Sequence, residues 1–209
     1  MIIAVDGPTA SGKGTIAKAL AQHFCLPHLD TGMLYRAVGQ QVALNGGDPD
    51  SEADSLAACA FPDSLLVDPD LRSEVSGGLA SRVSVHPRVR QALYDRQRMF
   101  ATQPGGAVLD GRDIGTVIAP EAEVKLFIIA SVAARAERRF LEMQRTGREV
   151  TLAEITTDLE ARDLRDATRS AAPLIQAEGA IVIDTSLLSP SEAIARAISF
   201  VDLLTGNTG

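Results

Sequence analysis

Gly7-Pro8-Thr9-Ala10-Ser11-Gly12-Lys13-Gly14-Thr15 decides how this chain is read. It follows a short apolar run, Ile2-Ile3-Ala4-Val5, and leads into an amphipathic stretch from Ile16 to Phe24. Strand, glycine loop and helix in that order make a phosphate cradle. Backbone N–H groups turn inward, and the helix N-terminus adds partial positive charge. Lys13 is placed to reach the β/γ-phosphates of a nucleoside triphosphate, and the Thr15 hydroxyl to serve a Mg²⁺ ion. The usual pattern sets Ser or Thr directly after the lysine, whereas here Gly14 intervenes.

Composition narrows what surrounds this loop. The 209 residues, 45% of them hydrophobic, suit a single domain with a full core. No apolar run reaches the roughly 18 residues of a membrane span, and a structural strand at residue 2 leaves no room for a signal peptide. Cys25 and Cys59 lie far apart without metal-ligand spacing and read as buried free thiols suited to a reducing cytoplasm. The net charge of −7 argues against a nucleic-acid polymer as partner. Of 20 basic residues only Lys13, Lys18 and Lys125 are lysines. The rest are arginines, whose planar forks suit bidentate phosphate binding. The acids Asp48, Asp50, Glu52, Asp54, Asp63, Asp68 and Asp70, in a stretch without bases, read as a solvated face and not as a metal site.

Along the chain, short buried strands are expected at Ile2–Asp6, Pro27–Asp30, Ala107–Asp110, Val124–Ile129 and Ala180–Ile183. Helices fill the intervals: Lys13–Phe24, Met33–Leu44, Ser51–Ala60, Ser73–Val85 (weakened by Gly77-Gly78), one opened by His86-Pro87, one capped by Ser131 and running to Thr146-Gly147, one capped by Thr151 with Glu154 at the capping-box position, and a last one from Ser189-Pro190 to just before Gly206. Phe61–Val75, rich in Pro and Asp, resists assignment, and the tail after Gly206 is expected to fray. Strands alternating with helices mean an α/β fold with a parallel sheet. Functional residues then belong at the carboxyl ends of the strands. Asp6-Gly7, Asp30-Thr31, Asp110-Gly111-Arg112-Asp113 and Asp184-Thr185 all fall there.

Arginines supply the second half of a site. Arg36, Arg90 and Arg112 come from the middle of the chain. Arg135, Arg138, Arg139, Arg145, Arg148, Arg162, Arg165 and Arg169 lie on or beside the two helices before the last strand, balanced by as many acids. Several of these must be ordinary i,i+4 pairs. Yet Arg162, Arg165, Asp166 and Arg169 share one helical face, which suits a polyanion. Phosphoryl transfer between nucleotides asks for alignment, charge neutralisation and exclusion of water. An arginine-bearing helical flap that closes over the site supplies these. No Ser-His-Asp or Cys-His arrangement is present, and His23, His28 and His86 read as structural.

The chain resembles the bacterial cytidylate kinases, of the nucleoside-monophosphate kinase superfamily. The resemblance lies in the Gly-Lys-Gly-Thr form of the loop, in Asp30-Thr31-Gly32-Met33-Leu34-Tyr35-Arg36, in Pro87-Arg88-Val89-Arg90, in Asp110 through Thr116, and in Arg162-Asp163 through Leu174. It implies a three-layer P-loop fold with a five-stranded parallel sheet. The core would be residues 1–35, 106–137 and 171–209, the monophosphate-binding lobe 36–105 and the lid 138–170. It implies transfer of a phosphoryl group from ATP, with Mg²⁺, to CMP or dCMP. Gly7 to Thr15 and Arg138 would then bind ATP. Thr31, standing where a serine is common, joins Tyr35, Arg162 and Asp166 at the sugar and acceptor phosphate. Ser81, Arg90 and Asp113 would read cytosine. Arg36, Arg112 and Arg169 would clamp phosphates. Lys13, Arg112, Arg162 and Arg169 would carry catalysis, and Thr15 the metal. The cytosine assignment has its own chemistry: a carboxylate accepts from N4, an arginine donates to N3/O2, and uracil would turn O4 toward Asp113. Many bacterial members carry a small sheet in the lobe; the short Phe61–Val75 stretch implies fewer strands here. The expectation is a cytoplasmic monomer. Its competitors are a kinase for UMP, AMP or shikimate, and a nucleotide-binding switch without turnover. The switch lacks support, since no guanine-reading Asn-Lys-x-Asp motif occurs.

Overall fold

The structure is a computed structural model, and it describes residues 1–145 and 149–206. Five strands form one all-parallel sheet: β1 (Ile2–Asp6), β2 (His28–Asp30), β3 (Ala107–Gly111), β4 (Val124–Ile129) and β5 (Ile181–Asp184), in the order β2-β3-β1-β4-β5. The central β1 sets Ile3 beside Val108 on one side and Val124 on the other. These residues are 0% exposed, as a sheet covered on both faces demands. Every carboxyl end therefore opens on the same edge.

The layers follow from the helical periodicity. α1 (Lys13–His23) and α8 (Pro190–Thr205) cover one face, burying Ile16, Leu20, Ala197 and Val201 against Ile3, Val5, Leu126 and Ile128. Capping starts α8: Ser189 and Glu192 exchange hydrogen bonds with each other's backbone, and Pro190 opens the first turn. On the opposite face Ala4 and Leu109 pack against Ala101, Ile114 and Ile118.

Two helical inserts rise from the sheet's edge. Between β2 and β3 run α2 (Thr31–Leu44), α3 (Glu52–Ala57), α4 (Glu74–Val83) and α5 (Pro87–Ala101). They have their own core of Leu34, Val38, Leu71, Val83, Val89 and Leu93. Between β4 and β5 stand α6 (Val132–Arg145) and α7 (Leu152–Thr168), around Ala136, Met143, Ile155 and Leu159. The Thr151/Glu154 capping box is present as the spacing predicts. The unassigned stretch resolves into 3-10 turns over Asp63–Val67 and Pro69–Arg72, and no strand occurs among the described residues between β2 and β3.

Some expectations need correction. α2 begins at Thr31 and not at Met33. Cys25 is exposed, in a left-handed turn just past the end of α1. Cys59 is only partly buried, with its Sγ 3.4 Å from the Ser55 carbonyl, and that burial pushes its pKa up to about 11. Both thiols are free. A five-residue π-helical turn, Ile114–Ile118, was not foreseen. The expected helix end at Thr146-Gly147, the base Arg148 and the frayed tail at 207–209 lie outside the described residues.

Candidate active site

The glycine loop leaves β1 through Gly7, whose φ is +155°; a Cβ there would stand 2.1 Å from the Ile128 carbonyl oxygen. A bare backbone is what lets the loop turn so close to β4. Thr9, Ala10, Lys13 and Gly14 then line a cavity of about 240 Å³ at the carboxyl edge of the sheet. Gly7, Pro8, Ser11 and Gly12 form the loop's base and do not line it, and Thr15 is exposed outside it. Thr185, at the end of β5, donates to the Ser11 carbonyl at 2.8 Å and so ties the loop to the far strand. Arg138 reaches this same tie, donating to the Thr185 carbonyl. It does not line the cavity.

Asp6 organises the opposite wall. Its carboxylate accepts from the backbone N–H groups of Ile114 (2.9 Å) and Gly115 (2.8 Å), at the start of the π-helical turn. Burial raises its pKa to about 6 against the pull of those two donors. The turn it anchors holds Arg112 and Asp113 over the sheet's edge. A Cβ on Gly111, just before them, would strike the Thr31 hydroxyl at 2.6 Å.

Asp113 is buried and pairs with Arg90 from α5, while Arg169 stands 3.7 Å from its other oxygen. Arg90 also lies over the Tyr35 ring, 5.3 Å from its centroid. Burial works against the Arg90 charge, but Tyr35 and Asp113 more than offset it, so its pKa rises. Arg112 donates to Asp166 and to the Thr9 hydroxyl, both at 2.7 Å, joining the wall to α7 and to the loop. Burial lowers the pKa of Arg169, with Arg90 adding to the effect. Its Nη2 is buried and makes no hydrogen bond among the described residues. Lys13 is half-buried, and desolvation, with Arg112 nearby, lowers its pKa to about 8.

The expected residues therefore converge. Thr31, Tyr35, Arg36, Ser81, Arg90, Arg112, Asp113, Arg162, Asp166 and Arg169 all line the one cavity with Lys13. Arg36 is braced by the Leu71 and Ser73 carbonyls at 2.7 and 2.8 Å. Ser81 accepts a hydrogen bond from Arg165, so the third cation of the shared face acts on the opposite helix. Arg169 caps α7 in extended conformation, just past the helix it was expected to extend.

Asp30, Asp110 and Arg139 also line the cavity, although the sequence reading gave none of them a role of its own. The first two sit at the strand ends where the sequence places functional residues. Asp110 accepts a hydrogen bond from His28 Nε2 at 2.8 Å, which fixes the carboxylate in the cavity wall. Arg139 gave no sign of its place within a balanced run of charges. In all, seven cationic side chains face four carboxylates around the cavity, inside a protein of net charge −7.

A family model described as "Cytidylate kinase" matches residues 3–203. The chain belongs to the cytidylate kinase family. It is thus a nucleotide-binding phosphotransferase with the α/β fold of the P-loop nucleoside-monophosphate kinases. Similar curated relatives carry the same description. One from Xanthobacter autotrophicus is 51% identical over 203 residues, covering 97% of each chain. One from Azorhizobium caulinodans is 50% identical over 207 residues, covering 99% of this chain and all of the relative. One from Cereibacter sphaeroides is 52% identical over 201 residues, 96% and 95% of the two chains. Among solved structures, an uncharacterized protein from Eubacterium ventriosum superposes with a TM-score of 0.54 at 16% identity, over 97% of this chain and 98% of that one. That likeness speaks for the fold alone.

Proposed function

We propose that this cytidylate kinase moves the γ-phosphoryl group of ATP onto CMP and dCMP, with the donor at the glycine loop and the acceptor base on the Arg90–Asp113 pair. The observation that carries this reading is that one cavity is lined both by Lys13 of the glycine loop and by that pair. In this reading residues 36–105 form the acceptor lobe and 138–170 the lid, each supported by its own apolar cluster.

Cytosine fits the pair in one orientation. Asp113 accepts from the N4 amino group while Arg90 donates to N3 and O2, and Ser81 lies within the same wall. Tyr35, Thr31 and Asp166 face the sugar. Arg36, Arg162 and Arg169 receive the acceptor phosphate, and Arg112 spans the gap to the loop. No general base is needed, because the nucleophile is already a phosphate anion. The protein's task is to align two polyanions and neutralise their repulsion in a site closed to water.

Mg²⁺ fits the donor set as a partner of the phosphates. Among the described residues no three acidic, His or Cys side chains cluster to hold a metal alone. The hard oxygens of Asp110 and Asp30 line the cavity beside Lys13, and Mg²⁺ is commonly held by one or two carboxylates plus substrate phosphates. The Thr15 hydroxyl, expected to serve the ion, is exposed and outside this wall. When bound, the ion offsets charge on the donor phosphates. Lys13 and the arginines do the rest of the neutralisation.

We propose that the protein is a cytoplasmic monomer; its two free thiols suit a reducing compartment. No helix among the described residues is long and apolar enough to cross a membrane. A coupled assay of ADP release with CMP, dCMP, UMP and AMP tests the function. CMP and dCMP should accelerate ATP use far above UMP and AMP. Acceptance of UMP equal to CMP would remove the base-reading roles, and indifference to every monophosphate would remove the kinase reading.

A further inference from the structure

One face of α4 reads Glu74, Gly77, Gly78 and Ser81, a spacing that places all four on a single stripe of the helix. That stripe meets the lid. At its start the Glu74 carboxylate pairs with Arg139 of α6 and lies 3.4 Å from Nη2 of Arg162 on α7. At its end the Ser81 hydroxyl accepts from Arg165. Between them the helix is bare: a Cβ on Gly77 would stand 3.0 Å from Arg36 Nη2 and 3.2 Å from Arg162 Nη1. The glycine pair that weakens the helix makes room for guanidinium groups.

Glu74 also has a side. Arg139 and Arg162 line the nucleotide cavity and, on their other side, a second cavity of about 220 Å³ with Met143, Ile155 and Leu159 in its lining. Glu74 lines only the second. It therefore holds the two arginines from the side away from the nucleotides and does not compete with a phosphate for the same space. A carboxylate in the first turn of a helix is favourable through the helix dipole alone. That effect would not require a grip on two helices of another insert.

We propose that Glu74 is a positioning residue that joins the acceptor lobe to the lid, holding Arg139 and Arg162 over the nucleotide cavity and making lid closure and acceptor binding one coupled event. The inference rests on the reading of Arg162 as an acceptor-phosphate contact. An acceptor seated in the lobe finds the lid's arginines already docked on α4, and a docked lid favours the acceptor. Without the carboxylate, the two inserts would still fold, each around its own apolar cluster, but would lose the ionic part of their link and keep the Arg165–Ser81 hydrogen bond.

The test is Glu74→Gln, which keeps the shape and removes the charge, with Glu74→Asp as the conservative variant. We expect Glu74→Gln to raise the KM for CMP about tenfold with a smaller change in kcat. ATP affinity measured without an acceptor should be unchanged, and the tightening of CMP binding by ADP should weaken. Glu74→Asp should recover part of that coupling. A variant that lowers the melting temperature while leaving the KM and the ADP–CMP coupling intact would overturn the proposal. So would Glu74→Gln and Arg139→Met effects on coupling that add independently in a double-mutant cycle, since a shared contact must show up as overlap. Arg162→Ala separates the underlying reading: if it leaves the KM for CMP unchanged, the acceptor assignment fails, whatever Glu74 does.

Discussion

Asp113 has an arginine on each side, Arg90 paired with one oxygen and Arg169 3.7 Å from the other. Protein donors do not fill all the acceptor capacity of its two oxygens, so an incoming amino group still finds a lone pair. Removing it outright would leave buried arginines facing one another, at a stability cost of several kcal/mol. Asp113→Asn is therefore the cleaner probe. An amide offers a donor to uracil O4 as readily as an acceptor to cytosine N4. The ratio of kcat/KM for CMP over UMP should fall by about tenfold or more, in line with the roughly 1–3 kcal/mol that a good base contact discriminates. An unchanged ratio would take base reading away from this residue. Lys13 makes a prediction in pH. Its pKa in the protein is lowered to about 8, while a bound triphosphate favours the ammonium form. Below pH 8 the charge is already present, and affinity for ATP should be flat. Above it, binding must take up a proton, so affinity should weaken by up to about tenfold per pH unit. Titration calorimetry from pH 6.5 to 9.5 would show this slope, and Lys13→Met should abolish it along with most of the affinity.

α4 shows why some of this was legible and some was not. Its existence, the strands and the caps at Ser73, Thr151 and Ser189 follow local rules of period and capping, and they stand within a residue or two of where those rules put them. The glycine loop was legible because phosphate binding by backbone needs that spacing. The arginines and Asp113 could be placed through resemblance, although nothing local says which cations of a balanced run turn inward. Glu74, Arg139 and the π-helical turn were not legible. Each exists through a partner far off in sequence: Arg139 for Glu74, the carboxylate of Asp6 for the turn. The Gly77-Gly78 pair looks like a weakness in the sequence, and only packing reveals its use. The two glycines should accordingly behave differently. At Gly78 the nearest atom to an added Cβ is Arg162 Nη2, at an ordinary 3.9 Å, so Gly78→Ala should stabilise the protein by up to about 1 kcal/mol through helix propensity. At Gly77 the same methyl group pushes on Arg36 and Arg162. Gly77→Ala should raise the KM for CMP severalfold, whatever it does to the melting temperature. Equal kinetics for both variants would show that the space over Gly77 is not used by the site.

The parts of the molecule differ in what holds them. The sheet has large apolar clusters on both faces, and the insert between β2 and β3 has a third. The α6–α7 pair has four buried apolar residues, Ala136, Met143, Ile155 and Leu159. Its attachment elsewhere is largely ionic. Arg135, which pairs with Asp163 inside the α6–α7 pair itself, donates to the Thr9 carbonyl at 3.2 Å, Asp166 accepts from Arg112, and Glu74 reaches Arg139 and Arg162. Ion pairs are weak anchors once water reaches them, whereas a buried strand opens only with the whole domain. The lid should therefore open at far lower free energy than the sheet, as a site that must admit two nucleotides and then exclude water requires. Amide hydrogen exchange can read this directly. In the free protein, residues 152–168 should exchange well before β1 and β4. Adding ADP with CMP should slow exchange over 152–168 and over 74–83 together, because the two elements close on one another, and leave the sheet unchanged. If α7 were as protected as β1 without nucleotide, or if protection rose in α7 but not in α4, the lid would not be the ionically latched element described here.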